Sequence, residues 1–309
     1  MIEVRNLSRY YGDVAAISDI SFTIEKNEIV GFLGLNGVGK STTLKILAGL
    51  LSPSTGEVFI NSLNWLEEPE RFRQNIGFLP EEPPLYRDMT VTEFLRYIAK
   101  IRNYPKEKLE TRLQHVLQQT QLTHKAHQVI EQLSLGYKKR VGIAQAIIHE
   151  PSLVILDEPT SGLDPKQMVE LRHVIRSLST EATVLLSSHN LTEVSETCDR
   201  LLILSAGKII AEGNHDSLAR NFQNDQNTIE VHLSNTSDTE TKIQTLFKEC
   251  KRVDSPTTTI LKFQITSSLS TPIIVQRLVQ EGLEIHQVLT TTSELESIFL
   301  SLTQSGAEQ

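Results

Sequence analysis

Four glycines stand ahead of a lysine and two hydroxyls in GFLGLNGVGKST, residues 31 to 42. Gly34, Gly39, Lys40 and Ser41 complete the spacing G-x-x-x-x-G-K-[ST], in which glycines let successive backbone N–H groups turn inward around phosphate oxygens. The helix expected to open at Ser41 adds the partial positive charge of its N-terminus. Lys40 is then placed to neutralise the β and γ phosphates and Ser41 to ligate Mg²⁺, with Asn36, Gly37, Val38 and Thr42 completing the cradle. The pattern implies nucleotide binding but not which reaction follows, because the same cradle serves kinases, GTPases and motor ATPases.

Further residues narrow the chemistry. LVILDEP carries two adjacent carboxylates out of an apolar run, where burying charge is costly unless a cation or hydrogen bonds compensate. Asp157, at the strand's C-terminal edge, is placed to hold Mg²⁺ through water. Glu158 is expected to point the other way along the pleat, as a base polarising a water against the γ phosphate. His189, in SSHN, can hydrogen-bond that phosphate, although packing or capping serves equally well, since Asn190 and Glu193 make a helix cap beside it. Tyr11, in RYYG, can stack on adenine or pack into the core. LSLGYKKRVGIAQAII, residues 133 to 148, sets Ser134 and Gly136 at the start of a long amphipathic helix. That is a second N-terminus suited to an anion, with no phosphate of its own, and Ser134 as an ordinary N-cap is locally sufficient.

These residues need strands and helices to hold them. EIVGFLG, SLVILDEP and ATVLLSSH read as strands buried on both faces, as in a parallel sheet covered by helices. Between the first two lies a helical subdomain, about residues 80 to 145. TVTEFLRYIAKIRN opens with a capping box of Thr90 and Glu93, and PKEKLETRLQHVLQQTQL opens with Pro105, which suits a first helical turn. The composition turns polar at QNDQNT, residues 223 to 228, expected as a linker closing a main domain of residues 1 to 222. Beyond it, alternation of Ile229, Val231 and Leu233 and of Leu261, Phe263 and Ile265 predicts strands, while TPIIVQRLVQEG and SELESIFLSLTQ have helical spacing. Residues 228 to 309 thus read as a small α/β domain.

The whole chain sets bounds on partners. Its 309 residues suffice for one large domain and a small one. A net charge of -8 argues against a general nucleic-acid surface, which draws its affinity from clustered Lys and Arg. The last domain, with six Lys and Arg against ten Asp and Glu, is no nucleic-acid clamp either. Cys198 and Cys250, the only cysteines, have neither disulfide-scaffold nor zinc spacing, so a reducing compartment fits. No apolar run reaches the ~18 residues of a spanning helix. The chain is expected to be soluble, with any membrane link made through a partner.

In this order GLNGVGKST, LSLGY, LVILDEPTSGLD and SSHN resemble the Walker A, signature, Walker B, D-loop and H-loop segments of ABC transporter ATPases, over roughly residues 1 to 220. The resemblance implies an α/β P-loop NTPase core with a helical subdomain, followed by the small C-terminal α/β domain, dimerising or regulatory. It implies a head-to-tail dimer, as a homodimer or with a paired ATPase subunit, in which Ser134 and Gly136 of one copy meet the γ phosphate held by Lys40 of the other. Tyr11 becomes the adenine platform, Glu158 the catalytic base, His189 the switch histidine, and Ser161 to Asp164 the dimer-crossing D-loop. The work is then ATP hydrolysis powering a separate integral-membrane permease. SLGYKKRVGIAQAIIHEP and SELESIFLSLT resemble the export-type relatives, which place the chain in the cytoplasm, peripheral on the inner face of the membrane. Two segments depart from the pattern. Glu81, in LPEEPPLY, stands where the family usually has glutamine, and its carboxylate can ligate Mg²⁺ or position water while changing the response to the γ phosphate. The signature reads LSLGY where LSGGQ is commonest. The rival reading, a soluble ABC-type regulator of ribosomes or DNA, lacks the paired ATPase cores or the coiled coils and basic blocks such relatives carry.

Overall fold

The three apolar runs become neighbours in one sheet. The structure is a computed structural model that describes residues 1–214, 217–218, 228–234, 243, 247, 251–254, 258–264 and 271–291. The chain opens with β1 (Ile2–Tyr11), β2 (Val14–Ile24), β3 (Ile29–Leu33) and α1 (Lys40–Leu47). Next come β4 (Thr55–Ile60), β5 (Leu63–Asn64), α2 (Pro69–Gln74) and β6 (Ile76–Leu79). Three helices follow, α3 (Val91–Ile101), α4 (Lys106–Gln119) and α5 (Leu135–Ile147). Then come β7 (Leu153–Leu156), α6 (Pro165–Leu178), β8 (Thr183–Ser188), α7 (Leu191–Thr197), β9 (Arg200–Ser205) and β10 (Lys208–Gly213).

The order of the main sheet is β10-β9-β3-β8-β7-β6. The five strands from β9 to β6 run parallel, and β10 returns antiparallel along the edge. Every residue of β3, β7 and β8 is buried, as expected of a parallel sheet covered on both faces. The register pairs Leu33 with Ser188, and Leu156 with both Leu186 and Leu79. The residues that follow β3, β8, β7 and β6 therefore emerge side by side at one end of the sheet, where α/β proteins bind ligands.

One face of this sheet packs on α1 and on a second, antiparallel sheet ordered β2-β1-β4-β5. Phe22 and Phe32 meet edge to face there at 5.3 Å, among Leu44, Leu47, Ile155 and Leu185. Burying each such side chain contributes about 1.5–3 kcal/mol. The other face carries α5, α6 and α7. Gly77 lets α5 lie directly on β6, since a Cβ there would sit 2.0 Å from the Ala146 carbonyl oxygen. The α3 capping box forms as expected, with reciprocal bonds between Thr90 and Glu93. Pro105 stands at the N-cap of α4, one residue ahead of the expected first turn, because its ψ of 126° is extended.

A separate compact unit spans Asp216–Ser301. Its strands β11 (Thr228–Ser234), β12 (Lys251–Asp254), β13 (Thr258–Gln264) and β14 (Ile285–Thr291) form an antiparallel sheet ordered β12-β13-β11-β14. Ile229, Val231 and Leu233 pack with Leu261, Phe263 and, from α8 (Thr271–Gln280), Ile274 and Leu278. Of the linker expected over 223 to 228, residues 223 to 227 lie outside the described residues, as do Ile265, SELESIFLSLTQ and Cys250, whereas Thr228 already opens β11. Among the described residues no helix is long and apolar enough to cross a membrane.

Candidate functional site

Between Leu33 and Lys40 the chain must turn from a strand into a helix within a few residues. Gly39 makes this possible, with φ at 106° and no room for a Cβ, which would lie 2.5 Å from the Ala16 carbonyl oxygen. The loop thereby rests against β2. α1 begins at Lys40, one residue earlier than expected, with no side-chain cap and no acid in its first turn. Its free N–H groups suit an anion. Asn36, Gly37, Gly39, Lys40, Ser41 and Thr42 line a cavity of about 280 Å³, joined by Ala16, Glu81, Glu158 and His189. Gly34 and Val38 do not line it. The Gly34 carbonyl accepts from Lys40 Nζ at 2.7 Å, and Val38 packs against the core.

The carboxylates come from the end of β7. Asp157 Oδ1 accepts from Ser187 Oγ at 2.6 Å and from Ser41 Oγ at 3.3 Å. Glu158 does not point away along the pleat as expected. The strand ends at Leu156, and Glu158 takes φ 45°, which turns its carboxylate into the cavity that Ser41 also lines. Its Oε2 lies 2.9 Å from His189 Nδ1, and its Oε1 lies 3.5 Å from Lys40 Nζ. That Oε1 is buried without a hydrogen-bond partner, a free acceptor at the cavity wall. Lys40 completes its shell with the Leu35 carbonyl at 3.2 Å. The Asn190 cap forms as well, its side chain accepting from the Glu193 amide, so capping and the Glu158 contact fall on adjacent residues.

Two contributors are invisible in the sequence patterns. Ser187 accepts from the Glu158 amide at 2.9 Å while donating to Asp157, so one hydroxyl sets both acids. The only hint was a polar pair inside an otherwise apolar run. Replacing Ser187 with alanine leaves the buried Glu158 N–H without an acceptor and is expected to cost about 1–3 kcal/mol, read as a lower denaturant midpoint. Lys139 of α5 is buried and donates to the carbonyls of Glu81 and Glu158.

The donor set fits a small hard cation. Ser41 Oγ and the Asp157 carboxylate are adjacent, and Glu81 lines the same cavity. Among the described residues no group of three or more His, Cys, Asp and Glu could hold a metal by itself. A cation here would draw its remaining ligands from phosphate and water, as Mg²⁺ prefers.

Ser134 and Gly136 lie elsewhere, in a second cavity of about 210 Å³ with Tyr137, Arg140, Asp164 and Gln167. Ser134 occupies the N-cap position of α5, but its side chain makes no cap hydrogen bond, so the ordinary capping explanation is not realised. Tyr11 neither lines the first cavity nor packs into the core. Its ring is exposed, with the Arg9 guanidinium 4.9 Å from its centroid.

The family described as ABC transporter matches residues 17–161. An ABC transporter ATP-binding protein of Methanocaldococcus jannaschii is 38% identical over 220 residues, covering 71% of this chain and 79% of the relative. The bacitracin transport ATP-binding protein BcrA of Bacillus licheniformis is 36% identical over 222 residues, covering 71% and 72%. Among solved structures, an ATP-binding cassette in a dimeric post-hydrolysis state bound to ADP and Pi is 25% identical with a TM-score of 0.62, over 69% of this chain and 98% of that one.

Proposed function

Because the chain belongs to the ABC transporter family, as an ATP-binding subunit with ATPase activity, we propose that two ATPase subunits close head to tail over ATP and drive a separate membrane permease. The observation that carries this reading is the division of the chemistry within one chain. The cavity at Lys40 has a phosphate cradle with Glu158 beside it, whereas the cavity at Ser134 and Gly136, itself lined by Asp164 and Glu170, has a free hydroxyl and a helix start but no such loop. The second cavity has no cradle of its own, and we assign it to the partner's γ phosphate.

In the closed dimer Lys40 leaves the Gly34 and Leu35 carbonyls for the phosphates, to which Asn36, Gly37, Gly39 and Thr42 present the loop. Ser41 and Asp157, with Glu81 beside them, would hold Mg²⁺, which would supply positive charge against the phosphates. Glu158 orients a water and takes its proton as the water oxygen attacks the γ phosphorus and the bond to the bridging oxygen breaks. His189 holds the second oxygen of Glu158 and contacts the departing phosphate. Tyr11, exposed near the end of β1, receives the adenine ring. ATP drives closure only by binding the closed form more tightly than the open one, and loss of phosphate removes that difference.

The relative named for bacitracin transport supports a transport role, and we assign the permease to another chain and the direction to export from the inner face of the membrane. The antiparallel Asp216–Ser301 unit is assigned to dimer contact or regulation, because the cavity residues named above all lie before it. A cysteine pair tests the dimer. With Ser134→Cys and Asn36→Cys, an intermolecular disulfide is expected only when ATP is trapped; its failure to form under those conditions overturns the head-to-tail arrangement.

A further inference from the structure

We propose that Lys139 is a positioning residue for ATP hydrolysis, tying the Glu81 and Glu158 loops to α5 while its charge offsets the carboxylates gathered there. Its side chain is 2% exposed, yet the ammonium reaches two loops from different strands. Nζ donates to the Glu81 carbonyl at 2.6 Å and to the Glu158 carbonyl at 3.2 Å. Glu81 follows β6 and Glu158 follows β7, neighbours in the sheet, so one cation pins two adjacent peptide planes.

Those planes carry two acids that line the cavity, and the position of each backbone decides where its carboxylate points. A misplacement of about 1 Å at a reacting centre can cost roughly a hundredfold in rate. Electrostatics supplies the second part. Burial pushes the Lys139 ammonium below its ordinary pKa, and the charges of Glu81, Glu158, Asp157 and Glu82 oppose that shift. A buried cation persists only where hydrogen bonds and opposite charges compensate its lost hydration, and here both come from the acids' own loops. The Glu81 carboxylate lines the same cavity as Glu158, and its charge is one of those that favour the Lys139 ammonium.

The experiment uses the full chain and compares Lys139→Met with Lys139→Arg, each also in a Glu81→Gln background. Melting temperature and the Kd for a fluorescent ATP analogue in EDTA are measured alongside kinetics. Lys139→Met is expected to lower kcat roughly tenfold while the metal-free Kd changes less than about threefold, because the cradle residues are untouched. Lys139→Arg is expected to recover most of kcat. Should arginine pack badly, the Glu81→Gln background decides, since the Lys139→Met penalty is expected to shrink at least about threefold there. Unchanged kcat in Lys139→Met overturns the proposal. So does a penalty identical with and without the Glu81 carboxylate, or a Kd that deteriorates in step with kcat.

Discussion

Glu158→Gln is expected to cut ATP turnover by about 100- to 10,000-fold, the span of a lost general base, while ATP still binds. The amide keeps the size of the side chain and its reach to His189 Nδ1, 2.9 Å away in the native protein. What disappears is the proton acceptor, and with it a negative charge facing the γ phosphate. Both changes favour the ATP-bound form, so size-exclusion chromatography with ATP is expected to show a persistent dimer that wild-type protein forms only transiently. Single-turnover hydrolysis separates the steps, because a defect in binding lowers the amplitude whereas a defect in chemistry lowers the rate. Turnover within tenfold of wild type would remove Glu158 from the role of base.

Lys40→Ala is expected to abolish productive nucleotide binding. The ammonium is 5% exposed and is held by two loop carbonyls and by Glu158 at 3.5 Å. Truncating one partner of a buried, hydrogen-bonded charge pair costs about 2–5 kcal/mol, or roughly 30- to 4,000-fold in Kd for the nucleotide. Isothermal titration with ATP reads that loss directly. The ligand-free protein also loses the cation beside Glu158 Oε1, which has no hydrogen-bond partner, so its melting temperature is expected to fall. An ATP affinity within threefold of wild type would show that the loop's amides suffice without the lysine.

These effects concern residues that the linear pattern already marked. The glycine loop, Lys40 and Ser41 were legible because the loop's geometry is set within a few residues by glycine conformations and a helix start. The same holds for the Thr90 capping box and the Asn190 cap, whose partners lie three residues away. The buried strands were legible because continuous apolar runs can be satisfied only inside a covered sheet. Local encoding stopped where the strand stopped. Glu158 was expected to follow the pleat, but beyond Leu156 there is no pleat to follow, and a φ of 45° sends it into the cavity. Ser134 read both as an N-cap and as part of an anion site, and only the structure leaves its hydroxyl without a cap hydrogen bond.

By itself, then, the sequence determined the phosphate cradle, the identity of the acids and the buried strands, since each follows from residue types and spacing within one segment. The assembly of these parts was decided by the sheet order. β8 lies between β3 and β7, which lets Ser187 join the two acids, and the loop after β3 reaches across so that Ser41 meets Asp157, 116 residues away. Lys139 finds the Glu81 carbonyl across 58 residues in the same way. Such contacts carry no fixed spacing in the chain. They exist because packing α5 and the central strands closes long loops, and the burial of the core offsets the entropy of that closure.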